Sequence, residues 1–246
     1  MKPAAEAFDL ADWAAAILAG GLAKRLRPMT EKIPKVLVEV AGQPFLAHQL
    51  RLLHGAGVRK IVLCVGYRGE MVEEQFGDGA AFGIELKYSF DGPDLLGTGG
   101  AIKKALPLLG KEFMVLYGDS YLPIDYAAPA RAFAQSGKAG LMTVFKNENR
   151  WDPSNVWFEA GEIRQYDKQN RRSEMKHIDY GLGFLRPAAF AYHPDASRFD
   201  LADLYQDLLR AKQLAGYEIT QRFYEMGSPQ GLAELDSLLR AQPVPD

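Results

Sequence analysis

An α/β domain with a mixed central sheet is predicted by two observations along the chain. Through the first half, short apolar runs alternate with segments of helical periodicity. This is the pattern of strand–helix–strand units and a mainly parallel sheet. In the second half, closely spaced strand patterns replace the alternation, and they read as an insertion that extends the sheet.

The strands of the first half are expected at residues 13–19, 60–65, 84–89 and 112–117, and its helices at 44–53, 70–76 and 98–109. In the last helix Ile102, Ala105, Leu106 and Leu109 share a face, and Thr98 stands where a cap is needed. Strands follow at 139–145, 155–159, 162–166 and 180–185, with Ala160-Gly161 as a turn. Residues 201–213 and 229–239 are amphipathic helices. No repeat or linker divides the chain. The expected organisation is an N-terminal extension over 1–12, one domain over 13–240 and a frayed tail over 241–246.

Hydrophobic residues make up 48% of the chain and charged residues 24%, a balance that supports a buried core and a charged surface. The formal net charge of −2 gives no basic field for nucleic acid. No apolar stretch is long enough to span a bilayer, and residues 1–13 lack the apolar run of a signal peptide. The one cysteine, Cys64, lies in an apolar run and is expected to be buried. A lone cysteine forms no internal disulfide, which suits a reducing, cytoplasmic location. The four histidines show no metal-ligand spacing.

Residues 17–37 read ILAGGLAKRLRPMTEKIPKVL. An apolar run stops at Gly20-Gly21, and Lys24, Arg25, Arg27 and Lys35 follow. Glycines let the backbone approach a ligand closely, and successive N–H groups form a nest for phosphate oxygens. Cations beside such a nest suit a polyphosphate. A nucleoside triphosphate is therefore expected here, against Leu18, Ala19, Gly20 and Gly21. Ligands of such sheets bind beyond the carboxyl ends of the strands. Asp119 follows another expected strand through Gly118, where a carboxylate can hold Mg²⁺ beside phosphates.

The pattern G-G-x-x-x-R-L-x-P-x-T-x-x-x-P-K, met by Gly20, Gly21, Arg25, Leu26, Pro28, Thr30, Pro34 and Lys35, resembles the signature loop of sugar-1-phosphate nucleotidyltransferases. Ala23-Lys24 stands where that family usually has Gly-Thr. The similarity runs from about Trp13 to Leu239. Gly42-Gln-Pro-Phe-Leu46, Val65-Gly-Tyr67, Phe76-Gly-Asp78 and Leu96-Gly-Thr-Gly-Gly-Ala-Ile102 bring it nearest to the D-glycero-α-D-manno-heptose 1-phosphate guanylyltransferase-like members.

The resemblance implies a Rossmann-like three-layer nucleotidyltransferase fold with a sugar-binding β insertion. No hexapeptide repeats follow Gly181, so no left-handed β-helix domain is expected. The implied reaction moves a nucleotidyl group from a nucleoside triphosphate to a sugar 1-phosphate, with Mg²⁺ and release of pyrophosphate. By the resemblance, Arg25 and Lys35 serve the triphosphate and Lys168, in Ile163-Arg-Gln-Tyr-Asp-Lys168, holds the sugar phosphate. Gly97 and Thr98 lie against base and ribose. The subgroup favours guanine, with UTP or dTTP as alternatives, and Asp91, with Asp94 as the other nearby acid, is the candidate to read that base. Asn155, Asp167, Asp179, Tyr180 and Gly181 line the sugar side. Asp119 and Glu225, the latter in Tyr224-Glu-Met-Gly-Ser-Pro-Gln-Gly-Leu232, are the implied metal ligands.

The implied partners are therefore small molecules, with no nucleic acid and no membrane. Two rivals stand beside this reading. A glycosyltransferase of similar architecture commonly carries Asp-x-Asp, whereas this chain has Asp119-Ser120-Tyr121. An inactive regulatory paralogue would have no need to keep Arg25, Lys35, Asp119 and Lys168 together.

Overall fold

The computed structural model describes residues 8–21, 24–195 and 197–241. Ala23 and most of the segments expected to stand apart at 1–12 and 241–246 lie outside the described residues. The part of the leading segment that is described is packed on the domain. Leu10 is buried, and the Phe8 and Trp13 rings are 5.7 Å apart.

Among the described residues the strands are β1 (Ala14–Leu18), β2 (Glu39–Val40), β3 (Gln43–Pro44), β4 (Lys60–Val65), β5 (Glu85–Phe90), β6 (Phe113–Tyr117) and β7 (Ser120–Tyr121). They continue as β8 (Gly140–Lys146), β9 (Val156–Glu159), β10 (Glu162–Tyr166), β11 (His177–Leu185), β12 (Leu214–Ile219) and β13 (Tyr224–Glu225). The helices are α1 (Phe45–Gly55), α2 (Gly69–Phe76), α3 (Gly97–Leu109), α4 (Ala127–Ser136), α5 (Leu201–Arg210) and α6 (Pro229–Ala241).

Nine strands form one sheet. Its first part runs β5-β4-β1-β6, all parallel. β11 follows antiparallel to β6, β8 pairs antiparallel with β11, and β12 lies parallel to β8. The β9–β10 hairpin meets the start of β11 at His177. The chain builds outward from β1 through β4 and β5, then returns to the other side of β1 with β6. The strand order thus reverses between β1 and β6, and a crevice opens beyond their carboxyl ends.

Helices cover both faces. Ala15 and Ile17 of β1 join the core under α1, α2 and α4, while Ala14 and Ala16 join the core under α3 and α5. A strand buried on both faces reads as a continuous apolar run rather than an alternation. A third cluster, of Leu26, Val38, Val40, Phe45, Tyr121, Met226 and Leu235, fastens the first loop to α6. At about 1.5–3 kcal/mol for each large apolar side chain fully buried, this cluster outweighs the short β7–β13 ladder as the tie between the two ends of the chain.

The expected architecture is present, with local corrections. α4 and β12 were not anticipated. α5 ends at Arg210 rather than running to 213, because Lys212 turns left-handed at φ 57°. Thr98 does not cap α3, which begins one residue earlier at Gly97. Its hydroxyl instead accepts the N–H of Leu201 at 2.8 Å, at the start of α5.

Candidate active site

Gly118 sets the geometry of the crevice. Its N–H donates to the Leu18 carbonyl at 3.0 Å, and a Cβ at this position would stand 2.5 Å from that oxygen. Only glycine lets the end of β6 lie so close to the end of β1. Asp119 is thereby held beside the loop after β1.

That loop, Leu18 to Gly21, forms one wall of a cavity of about 330 Å³. Asp91, Leu95, Gly97 and Thr98 form another wall, and Lys35, Gly118 and Asp119 close the far end. Cys64 lies in the floor, buried as expected, and burial pushes its thiol up to about 12. Lys35 follows Pro34 in a short helical turn, and its Nζ is 2.6 Å from Asp119 Oδ2.

Asp91 extends the β4–β5 ladder by donating its N–H to Val65, and it is only 8% exposed. Its Oδ2 accepts the Leu96 N–H at 3.2 Å. Burial pushes its carboxyl above the usual range, against the opposing pull of the Leu96 N–H and of Lys104.

A second cavity, of about 280 Å³, shares Tyr117 and Asp119 with the first. Arg25, Asn155, Lys168, Asp179, Tyr180, Gly181 and Glu225 line it. β11 supplies three of these through a bulge between Asp179 and Gly183. Gly181 takes φ 94° there, a conformation that side chains disfavour, and such bulges re-aim neighbouring residues. Asp179 accepts the Gly181 N–H at 3.1 Å and the Tyr166 hydroxyl at 3.3 Å, while Asn155 Oδ1 accepts the Asp179 N–H at 3.0 Å. Burial, with the charge of Asp179 beside them, holds the phenols of Tyr117, Tyr166 and Tyr205 far above their ordinary range. Lys168 Nζ lies 5.6 Å from the centre of the Tyr117 ring.

Glu225 reaches this wall through the β7–β13 pairing, which sets it opposite Ser120, with the Met226 N–H donating to the Asp119 carbonyl. Its carboxylate accepts the Gly227 N–H and, at 2.7 Å, the Ser228 hydroxyl at the head of α6. A Cβ on Gly227 would stand 3.0 Å from Arg25 Nη2 and 3.2 Å from Lys35 Nζ. The two cations of the first loop therefore converge on one point beside the two acids.

The expected residues come together with two departures. Arg25 lines the second cavity and not the first. Asp167 lines neither. Its carboxylate is turned to the N–H groups of Gln169 and Asn170. Several lining residues were not anticipated, among them Tyr117, which borders both cavities, and Asp152 in the second. Asp200 lines the first cavity and Arg171 the second. The Asp200-x-x-Asp203 capping box was legible as a helix start, but nothing in it points to a cavity. Arg171 was one of several charged residues in a loop.

The model of the nucleotidyl transferase family matches residues 14–155, which hold β1, the glycine loop, Lys35, Asp91 and Asp119. The chain belongs to the nucleotidyl transferase family. This nucleotidyltransferase is 31% identical over 232 residues to the N-acetylmuramate α-1-phosphate uridylyltransferase of Neisseria meningitidis serogroup B, covering 92% of this chain and 98% of the relative. It is 40% identical over 111 residues to the D-glycero-α-D-manno-heptose 1-phosphate guanylyltransferase of Campylobacter jejuni, covering 45% of this chain and 49% of that one. Among solved structures it resembles a putative glucose-1-phosphate thymidylyltransferase from Bacillus anthracis, in complex with a sucrose. The TM-score is 0.83 at 18% identity, over 95% of this chain and 97% of the other. That likeness establishes the fold. No helix among the described residues is long and apolar enough to cross a membrane.

Proposed function

We propose that this nucleotidyltransferase moves a nucleotidyl group from a nucleoside triphosphate to a sugar 1-phosphate and releases pyrophosphate. The observation that carries the reading is the meeting of two cavities at Asp119, one walled by the glycine loop and the other by Lys168 and the β11 bulge. The names of the two relatives support it, since each is a sugar-1-phosphate nucleotidyltransferase.

In this reading the triphosphate lies along Leu18, Ala19, Gly20 and Gly21, with base and ribose against Gly97 and Thr98. The sugar lies against Asn155, Asp179, Tyr180 and Gly181. A phosphate oxygen of the sugar 1-phosphate attacks the α-phosphorus in line. As that bond forms, the bond from the α-phosphorus to the bridging oxygen breaks, and the electron pair leaves with pyrophosphate. No protein nucleophile is required; positioning and charge stabilisation do the work. Lys168 holds the attacking phosphate. Lys35 stabilises charge on the α-phosphate. Arg25, converging with Lys35 near Gly227, receives the β- and γ-phosphates as they leave.

Asp119 and Glu225 both line the second cavity, and no group of three or more acidic, histidine or cysteine residues that could hold a metal occurs among the described residues. Such a pair fits Mg²⁺, which uses one or two carboxylates and keeps phosphate and water ligands. When bound there, Mg²⁺ would supply charge neutralisation between the two substrates.

For the base, Asp91 favours guanine. A buried carboxylate accepts from both N1–H and N2–H₂ of that base, and a site built for such donors discriminates against a base offering fewer. Uridylyl transfer is the second reading. It is favoured by the relative that this chain matches over nearly its whole length, and uracil N3–H is also a donor to Asp91. Pyrophosphate release, measured for GTP, UTP and dTTP against mannose, heptose and N-acetylmuramate 1-phosphates, tests all of this. The expected result is release with at least one pair and GTP as the best nucleotide. UTP or dTTP well ahead of GTP overturns the guanine reading alone. No release with any pair, while the protein still binds nucleotide, overturns the reaction in favour of a regulatory paralogue.

A further inference from the structure

Three cations line the second cavity, Arg25, Lys168 and Arg171, and among the described residues none of them forms an ion pair. Three of the four acids lining the cavity are engaged elsewhere, and the fourth, Asp152, is exposed and forms no ion pair with these cations. Asp119 is held by Lys35, Asp179 by Tyr166 and Gly181, and Glu225 by Gly227 and Ser228. Two of the cations come from a single turn, and Asp167 closes it. Its Oδ1 accepts the N–H groups of Gln169 and Asn170, both at 2.8 Å, and its Oδ2 accepts the Asn170 side-chain amide at 3.2 Å. This is the way a short acidic side chain builds a turn from its own backbone. Lys168 and Arg171, either side of the turned residues, both reach the cavity.

The geometry points to Arg171 as a second grip on the phosphate of the sugar 1-phosphate, presented together with Lys168 by the turn that Asp167 closes. The inference rests on the sugar-1-phosphate reading above. The incoming phosphate is a dianion and must approach a triphosphate that is also anionic. One ammonium group acts as a point charge on it. A guanidinium adds a planar fork that takes two oxygens at once and leaves the third free to attack. Asp167 is then a positioning residue, acting through Arg171 and Lys168 without lining the cavity itself.

The test measures KM for sugar 1-phosphate and for nucleotide separately. Arg171→Ala is expected to raise the sugar-phosphate KM about tenfold or more, the scale of one lost charged hydrogen-bonding group, with the nucleotide KM unchanged. Arg171→Lys recovers part of the loss. Asp167→Asn, which can close the same turn, stays near wild type, whereas Asp167→Ala follows Arg171→Ala. The two alanine changes combined cost less than the product of the two alone, because they act through a shared contact. An unchanged sugar-phosphate KM in Arg171→Ala, a shift in the nucleotide KM only, or full multiplication in the double variant overturns the inference.

Equilibrium binding of mannose 1-phosphate to the nucleotide-free protein separates this from the reaction itself. If wild type turns over no substrate pair, yet binds mannose 1-phosphate in an Arg171-dependent way, the reaction is lost and the grip stands. If wild type is active and binding is absent or independent of Arg171, the reaction stands and the grip is lost.

Discussion

The Lys35 ammonium and the Asp119 carboxylate are 2.6 Å apart, the cation coming from the first loop and the acid from the end of β6. Two groups proposed for different ligands, one for phosphate and one for metal, are thus each other's partner when neither is bound. Binding has to share or replace this pair.

Removing either member has a distinct signature. Asp119→Ala should cut turnover by at least about a hundredfold, the scale of lost charge stabilisation at a reacting centre, with the fold intact by circular dichroism. Lys35→Met should also slow turnover, but it frees Asp119, so the Mg²⁺ concentration giving half-maximal activity should fall. Near-normal rates for Asp119→Ala in magnesium would remove the metal assignment. A half-maximal Mg²⁺ concentration that rises in Lys35→Met would show that the two groups do not compete.

Gly227 provides a steric test of the convergence beside the acids. A methyl group added there would meet Glu225 Oε2 at 2.5 Å as well as Arg25 and Lys35. Gly227→Ala should therefore lower kcat by about tenfold or more, the scale on which a small misplacement of reacting groups is felt. The melting temperature should change little, because the displaced atoms are the far ends of side chains. Wild-type kcat in this variant would mean that Arg25 and Lys35 need not converge.

Gly118→Ala should do the opposite. The clash here is with the Leu18 carbonyl, backbone between two central strands. A destabilisation of about 1–3 kcal/mol is expected from overpacking of this kind, measured by chemical denaturation. Unchanged stability would mean that the crevice can open without cost.

Asp91 links base choice to pH. Asp91→Ala should narrow the preference for GTP over UTP and dTTP in pyrophosphate release. The raised carboxyl also has a stability consequence. A folded-state pKa above the unfolded value means that the folded chain holds the proton more tightly. The stability this confers is full below the unfolded value and is lost as pH rises through the folded one. Asp91→Asn should therefore melt higher than wild type at pH 7, and the difference should shrink as pH falls towards the ordinary carboxylate value. A gap that is constant with pH would mean that Asp91 is not strained by burial.

How much of this could be read from sequence follows from what each signal encodes. The parallel half of the sheet was legible because a strand buried on both faces leaves an unbroken apolar run, as in residues 14–19 and 61–65. The sites at strand ends were legible because Gly20-Gly21 and Gly118-Asp119 punctuate those runs. α4 was not, since its alanines and Pro129 give no clear stripe, and β12 carries Gly216 in its middle. Side-chain destinations were the least legible. Thr98 lies at a helix start but serves the neighbouring helix. Asp167 lies beside a cavity lysine but spends its carboxylate on its own backbone. Arg25 belongs by sequence to the phosphate loop but faces the second cavity. Such choices depend on partners far along the chain, which local pattern does not encode.

The return of β13 to β7 has a consequence for the order in which the enzyme is made. Domains assemble broadly from the N-terminus as the ribosome extends them. Every residue lining the first cavity, up to Asp200, is synthesised before Glu225. A nascent chain therefore holds every lining residue of the first cavity while still lacking the second acid and the helix that fastens the first loop. Residues 224–241 then act as a latch, and on the proposed function a chain that stops before them lacks the second acid needed for turnover.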